Sequence, residues 1–274
     1  MTAVRPYLAA FSARFQLMLQ YRTAALAGFA TQCWWGGIRL MVFAAFYGAH
    51  AAAAPISLAD AITYVWLGQA LLALQPWIAD PEIGHAVRTG GVGYDRLRPL
   101  DAYGFWYART VGWMLARALP RAALMVLAAG IILPLVGLEA WAWRPPTGLT
   151  AALLFIPAFA LMTALSAAVL MLANIVVAAS LNERGVNAVL TPLVIVFSGS
   201  LLPLDFYPDA WRPFLHVQPL AGIVDIPFRI YFADLAGAAA LQGLALQAGW
   251  TVVLIGLGRL AMERVMHRLE MQGG

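Results

Sequence analysis

The stretch "GLTAALLFIPAFALMTALSAAVLMLA", Gly148–Ala173, holds no charged residue, and the chain stays largely apolar beyond it to Leu181. A run of about 20 such residues is what the hydrocarbon core of a bilayer selects for a crossing helix. The rest of the chain agrees with that reading. Its 274 residues are 62% hydrophobic and 11% charged, with a mean hydropathy of +0.78. A soluble domain, at about a quarter charged, covers itself with polar surface that this chain does not have. Further apolar runs at Ala24–Ala49, Leu58–Ile78, Thr110–Gly137, Val186–Leu204 and Leu235–Gly258 bring the expected spans to six. The fold class expected is therefore an all-α integral membrane protein, one transmembrane domain over residues 1–274. Pro134, Pro157 and Pro192 fall inside spans, where neighbouring helices re-satisfy the freed carbonyls. The fourth run is long enough either to tilt or to extend past the bilayer.

Ahead of the first span, "MTAVRPYLAAFSARFQLMLQYR" (residues 1–22) sets Val4, Leu8, Phe11, Phe15 and Met18 at helical spacing. Arg5, Ser12, Arg14 and Gln16 fall elsewhere on the wheel. The segment lacks the short apolar core and small-residue cleavage site of a signal peptide. The pattern predicts an amphipathic interfacial helix along the membrane surface; the alternative is a helix packed on other helices. With the N-terminus inside, the inner segments hold Arg5, Arg14, Arg22, Arg88, Arg96, Arg98, Arg109, Arg184, Arg259, Arg264 and Arg268. Arg117 and Arg121 sit near the inner end of the third span, and the outer loops hold only Arg144, Arg212 and Arg229. By the positive-inside rule, both termini are expected in the cytoplasm, with Trp141, Trp143, Tyr207 and Trp211 on outer segments as interface-seeking aromatics.

Composition also excludes chemistry. All 17 basic residues are arginine. A phosphate-binding P-loop needs its lysine, and a Schiff-base cofactor needs a lysine amine. If ATP drives this chain, another polypeptide binds it. Cys33 alone forms neither an intrachain disulfide nor a cysteine-based metal cage, and His50, His85, His216 and His267 have no ligand spacing. The net charge of +4 is spread over the ends of apolar runs, so no nucleic-acid partner is expected.

Against that background "VGYDRLRPLD", Val92–Asp101, concentrates Asp95, Arg96, Arg98 and Asp101 in the inner connection at residues 79–109. Gly90, Gly91 and Gly93 loosen the backbone before it, and Pro99 ends or redirects any short helix there. Two readings stand: a solvated loop whose arginines only fix topology, or a docking surface for a soluble partner.

With six spans and an amphipathic lead-in, "VRTGGVGYDRLRPLDAYGFWYAR" (Val87–Arg109) resembles the membrane subunits of ABC (ATP-binding cassette) transporters of the type-2 permease class. Within that class the likeness is to small six-span bacterial permeases, whose first cytosolic loop reads as a glycine-containing turn, then "LRP", then an aromatic-rich helix. A second likeness is "SGSLLPLDFYPDAWRPFLHVQPL", Ser198–Leu220, which is similar to the family's outer re-entrant segment between spans five and six, here residues 205–234. The resemblance implies an exporter subunit in the bacterial inner membrane. Two permeases, identical or related, would pair with two ATP-binding subunits, which hold the ATP and Mg; no cofactor is expected in this chain. It also implies coupling elements at residues 80–101 and at "SLNERG", Ser180–Gly185. Glu82, Arg88, Asp95, Arg96 and Arg98 are then expected at the first ATPase contact, and Glu183 and Arg184 at the second. Their role would be charged attachment that passes ATP-driven closure into helix motion. The family's first, second and fifth spans face the partner permease.

Arg39 lies deep in the first span, where an unpaired dry charge costs several kcal/mol. Either it lines a cavity or pairs with an acid, or it stretches to the outer interface. Gln32, Trp35 and Asn174 join it as candidates for the translocation path, against interhelical hydrogen bonding or aromatic packing. Pro203, Asp205, Trp211 and His216 are candidates for an outer gate, against an ordinary ion-paired loop. Two other classes compete. An intramembrane serine enzyme would use Ser198 or Ser200 with His216, but "FSGS" lacks the GxSxG elbow. A stand-alone ion-coupled transporter usually buries an acid at mid-membrane, and Asp60 lies only at a span edge.

Overall fold

The helices follow the apolar runs for most of their length, and two of the expected spans end early where other side chains take over the backbone. The computed structural model describes residues 4–50, 54–96 and 98–268, with the side chains of Asp95, Arg96 and Arg268 outside the description. Among the described residues every regular element is helical: α1 (Arg5–Leu19), α2 (Arg22–His50), α3 (Leu58–Ala70), α4 (Pro81–Arg88), α5 (Val92–Arg96), α6 (Ala102–Met125), α7 (Leu133–Leu135), α8 (Leu149–Ser180), α9 (Glu183–Phe197), α10 (Arg212–Leu215), α11 (Asp225–Tyr231) and α12 (Gly237–Arg268).

Among the described residues three rods are long and apolar enough to cross a membrane: Ala102–Leu135 (34 residues), Leu149–Ser180 (32) and Gly237–His267 (31). The first joins α6 to α7 through a π-helical stretch, Val126–Ile132. Pro134 has no N–H to give its own helix, and the register widens ahead of it. The Ala129 carbonyl instead accepts the Trp143 N–H at 2.9 Å. Next to it Gly130 leaves room for the Trp143 ring, which a Cβ would meet at 2.8 Å. α12 lies along α8, α11 packs on α8, and α6 packs between α1 and α8.

The other expected spans look different. α2 has 29 residues, roughly 44 Å at 1.5 Å per residue, but Thr31, Gln32 and Arg39 interrupt its apolar run. α3 ends at Ala70, well short of Ile78, after 13 residues, or roughly 20 Å against a hydrocarbon core of about 30 Å. A 3-10 turn, Leu72–Leu74, and extended chain at Gln75 follow it. The reason is enclosure: every residue from Ala61 to Ala70 is buried. Non-helical backbone is tolerated at such depth when protein surrounds it, and here side chains satisfy it. Thr191 Oγ1 donates to the Trp77 carbonyl (2.7 Å), while Asn187 Oδ1 accepts the Ala79 N–H (2.9 Å) and Asn174 Oδ1 the Asp80 N–H (2.8 Å).

α9 likewise stops at Phe197, short of the expected Leu204. The next four carbonyls each find a donor. Ser198 O accepts the Asp225 N–H (3.1 Å) and Gly199 O the Tyr64 hydroxyl (2.8 Å). Arg39 Nη2 donates to both Ser200 O (2.6 Å) and Leu201 O (2.7 Å). Gly199 sits at φ 90, where side chains are rare, and a Cβ there would lie 2.7 Å from the Tyr64 hydroxyl.

α1 packs along α6, close enough that a Cβ on Gly112 would meet the Phe11 carbonyl at 2.7 Å. Its inward face corrects the wheel drawn from sequence. Val4 and Leu8 are exposed, and the residue that α1 buries is Arg14. Both described chain ends lie at one end of the bundle, the basal end. There the Asp101 N–H donates to the Tyr7 hydroxyl (3.2 Å), and Arg259 lies 3.3 Å from the Asp101 carboxylate. Ser57, Asp80, Asp101 and Asn182 cap α3, α4, α6 and α9 with side-chain oxygens, each satisfying an orphan N–H.

Candidate functional site

Along α2 runs a cleft of about 1090 Å³, lined by Thr31, Gln32, Trp35, Arg39, Val42, Phe43 and Phe46. Gln69, Leu72 and Trp77 form a second wall, and Ile195, Ser200, Leu201, Leu202, Asp205, Phe206 and Arg212 a third. Most of these groups are apolar. The polar exceptions matter: Gln32 Nε2 and Oε1 and Gln69 Oε1 are buried without a hydrogen-bond partner among the described residues. Each such group costs about 1–3 kcal/mol and gives the wall capacity to bind. Three of the four path residues expected from sequence, Gln32, Trp35 and Arg39, converge here. Asn174 does not; it is fully buried and holds the Asp80 backbone. Arg39 has no ion pair among the described residues. It holds the two carbonyls of the break after α9.

At the basal end a chain of ion pairs links four helices. Arg14 bonds Glu82 and lies 3.4 Å from Asp80 Oδ1; its side chain is 5% exposed and that of Asp80 2%. Glu82 also accepts from Arg109 of α6 (3.0 Å). Arg88 of α4 lies 3.7 Å from Glu183 of α9, and Gly84 lets the two elements close, since a Cβ there would sit 3.1 Å from the Glu183 carboxylate. Burial pushes the Asp80 carboxyl above the usual range, against the pull of Arg14. Of the residues expected to dock a partner, Glu82, Arg88 and Glu183 are thus brought together. Arg98 stacks over the Phe105 ring at 4.5 Å, and Arg184 is exposed. Asp95 and Arg96 fall on α5, but their side chains lie outside the description.

The distal end holds a second cluster. Arg229 bonds Asp234 (2.6 Å) and lies 3.6 Å from both Asp205 and Asp225, while His216 Nε2 lies 3.2 Å from Asp205. Asp225, 1% exposed, accepts the Leu204 N–H at 3.3 Å. Burial raises its carboxyl above the usual range, while Arg229 pulls it down. His216 beside Asp205, aided by Arg229, holds that carboxyl below the usual range against its own burial. Of the expected gate residues, Asp205 and His216 meet here. Pro203 is buried at the head of the Leu204–Phe206 turn, and Trp211 is exposed at the start of α10, outside the cluster. Ser198 Oγ accepts the Ser200 N–H (3.1 Å), a bond within the turn.

Sequence models of known protein families, compared with this chain, give no match, and curated proteins give none either.

Asp80, Asn187 and Thr191 escaped the sequence reading, and Arg14 was set on the outward face of its helix. Two had a signal. Arg14 stands three residues after Phe11 and four before Met18, on one helical face. "DPE", Asp80–Glu82, reads as a cap, a proline at the first helical position and an acid in the first turn.

Proposed function

We propose that this chain is the membrane-spanning permease subunit of an ATP-driven exporter, forming half of a translocation path and docking to separate ATP-binding subunits. The observation that carries the reading is the short connection from the basal network to the cleft. Trp77 lines the cleft, and three residues later Asp80 caps α4. The chain between is tied to α9 by Thr191 and Asn187. A push on α4 therefore moves a cleft wall with no flexible linker between.

In this reading Glu82 and Arg88, each half-exposed at 48%, with Arg98, Arg184 and Glu183, form the docking rim for the ATPase. The cleft closes against a second permease through α2 and α9, whose outward residues include Trp34, Met41, Val189 and Leu193. α3 and α9 complete their crossings with the irregular segments after them, giving six spans. Residues 205–234 form the outer re-entrant segment, with α11 pressed on α8. No chemical step falls to this chain, and both termini face the cytoplasm of a bacterial cell.

The test is co-purification. Tagged chain extracted in mild detergent should bring down a soluble ATPase, and Arg88→Glu with Arg98→Glu should weaken that association on the order of tenfold or more. Full retention in the double variant moves the docking surface elsewhere.

Asp225, a buried acid of the distal cluster, favours a second reading, a proton-coupled carrier that works alone. Nucleotide-independent uptake by proteoliposomes of the isolated chain, lost in Asp225→Asn, would decide for it.

A further inference from the structure

A separate pocket of about 360 Å³ opens partway along α6, where α1 turns into α2, within the range of about 300–1,000 Å³ usual for small-molecule sites. Its walls are Leu17, Met18, Tyr21, Ala24, Ala25, Trp113 and Ala116, and its charged groups are Arg14, Asp80, Glu82, Arg117 and Arg121. The two carboxylates are already engaged by Arg14, and Glu82 by Arg109 as well. Arg117 and Arg121, one helical turn apart on α6, have no carboxylate within ion-pair distance among the described residues.

Both guanidinium groups are held in place rather than trailing into solvent. Arg117 lies 4.2 Å above the Trp113 ring. Arg121 Nη2 donates to the Ala24 carbonyl (3.3 Å), and its Nε is buried without a partner among the described residues. The guanidinium rests on α2 at Gly28, where a Cβ would come within 2.5 Å of Arg121 Cζ. Glycine at that position is what lets the planar fork lie against the helix. Two fixed forks beside an apolar wall suit a phosphate carrying an apolar neighbour: guanidinium pairs phosphate through paired N–H donors, and basic pockets between membrane helices take anionic headgroups.

We propose that this elbow pocket is a phosphate-binding site in which Arg117 and Arg121 clasp either the headgroup phosphate of an anionic phospholipid or a soluble phosphate. The assignment stands whether or not the chain couples to an ATPase. The test uses the full chain in two arms. In nanodiscs of phosphatidylglycerol or phosphatidylcholine, native mass spectrometry counts retained lipid. In detergent, thermal unfolding is followed with sodium phosphate or sodium chloride at equal ionic strength.

Preferential retention of phosphatidylglycerol, weakened on the order of tenfold or more in Arg117→Gln with Arg121→Gln, supports the lipid headgroup. Stabilisation by phosphate over chloride, without lipid preference, supports the soluble ligand. Discrimination in neither arm for the wild-type chain overturns the site, as does unchanged binding in the double variant. Should that variant fail to fold, Gly28→Ala, which displaces only the Arg121 fork, replaces it and must weaken the same preference.

Discussion

At the basal end Arg14, Arg88 and Arg109 share Asp80, Glu82 and Glu183, whereas at the distal end Asp205, Asp225 and Asp234 share Arg229, with His216 beside Asp205. Arginine keeps its charge at every working pH, and at the basal end three arginines face three acids. Around Arg229 acids outnumber the permanent cation, and the balance there depends on protons. One end matches its acids with arginines; the other holds more acids than permanent cations.

The largest effect should come from breaking the basal anchor. Arg14→Ala strands Asp80 without its cation and should cost about 3–5 kcal/mol in detergent unfolding. Adding Asp80→Asn should recover part of that loss. Equal stability of Arg14→Ala and wild type would mean that the network is ornamental. Arg229→Ala should cost less, about 2 kcal/mol, because that arginine is 22% exposed and water screens its pairs.

pH sharpens the contrast. Asp225 has its carboxyl raised in the folded state by burial, so its contribution is fully present below the usual carboxylate pKa of about 3.9 and is lost as pH rises through the folded value. Asp80 adds a slope of the same sign. Asp205, held low by His216 and Arg229, contributes above its unfolded value and loses that as pH falls. Asp225→Asn should therefore flatten the decline on the alkaline side and leave the acid-side loss in place; an unchanged profile in unfolding titrations would contradict the assignment. The smallest effect belongs to Arg212→Ala at the exposed Asp209 pair (2.7 Å), worth about 0–1 kcal/mol by the same assay.

Legibility followed enclosure. The third, fourth and sixth apolar runs became long rods that absorb their polar residues, such as Arg117, Ser166 and Gln247, without a break. The second and fifth read much the same in sequence, yet α3 and α9 stop early, because partners far along the chain (Asn174, Asn187, Thr191, Arg39) satisfy the backbone beyond them. A one-dimensional pattern carries no trace of those partners. Gln32, Trp35 and Arg39 were readable as polar or aromatic oddities on an apolar helix, and they do share a cleft. Asn174 was the same kind of oddity but serves the backbone. Arg14 was misplaced because its charge outweighed its spacing from Phe11 and Met18.

The most direct measurement uses the lone cysteine. In a Cys33→Ser background, Val42→Cys places a thiol on the cleft wall, and in the complex with the proposed ATPase partner maleimide labelling is timed with and without a non-hydrolysable ATP analogue. If α4 drives the cleft through Trp77–Asp80, the rate should change by about fivefold or more on nucleotide binding, and Asn187→Ala with Thr191→Val should abolish the change while the ATPase stays bound. A labelling rate indifferent to nucleotide, or a response that survives the loss of both ties, would contradict it.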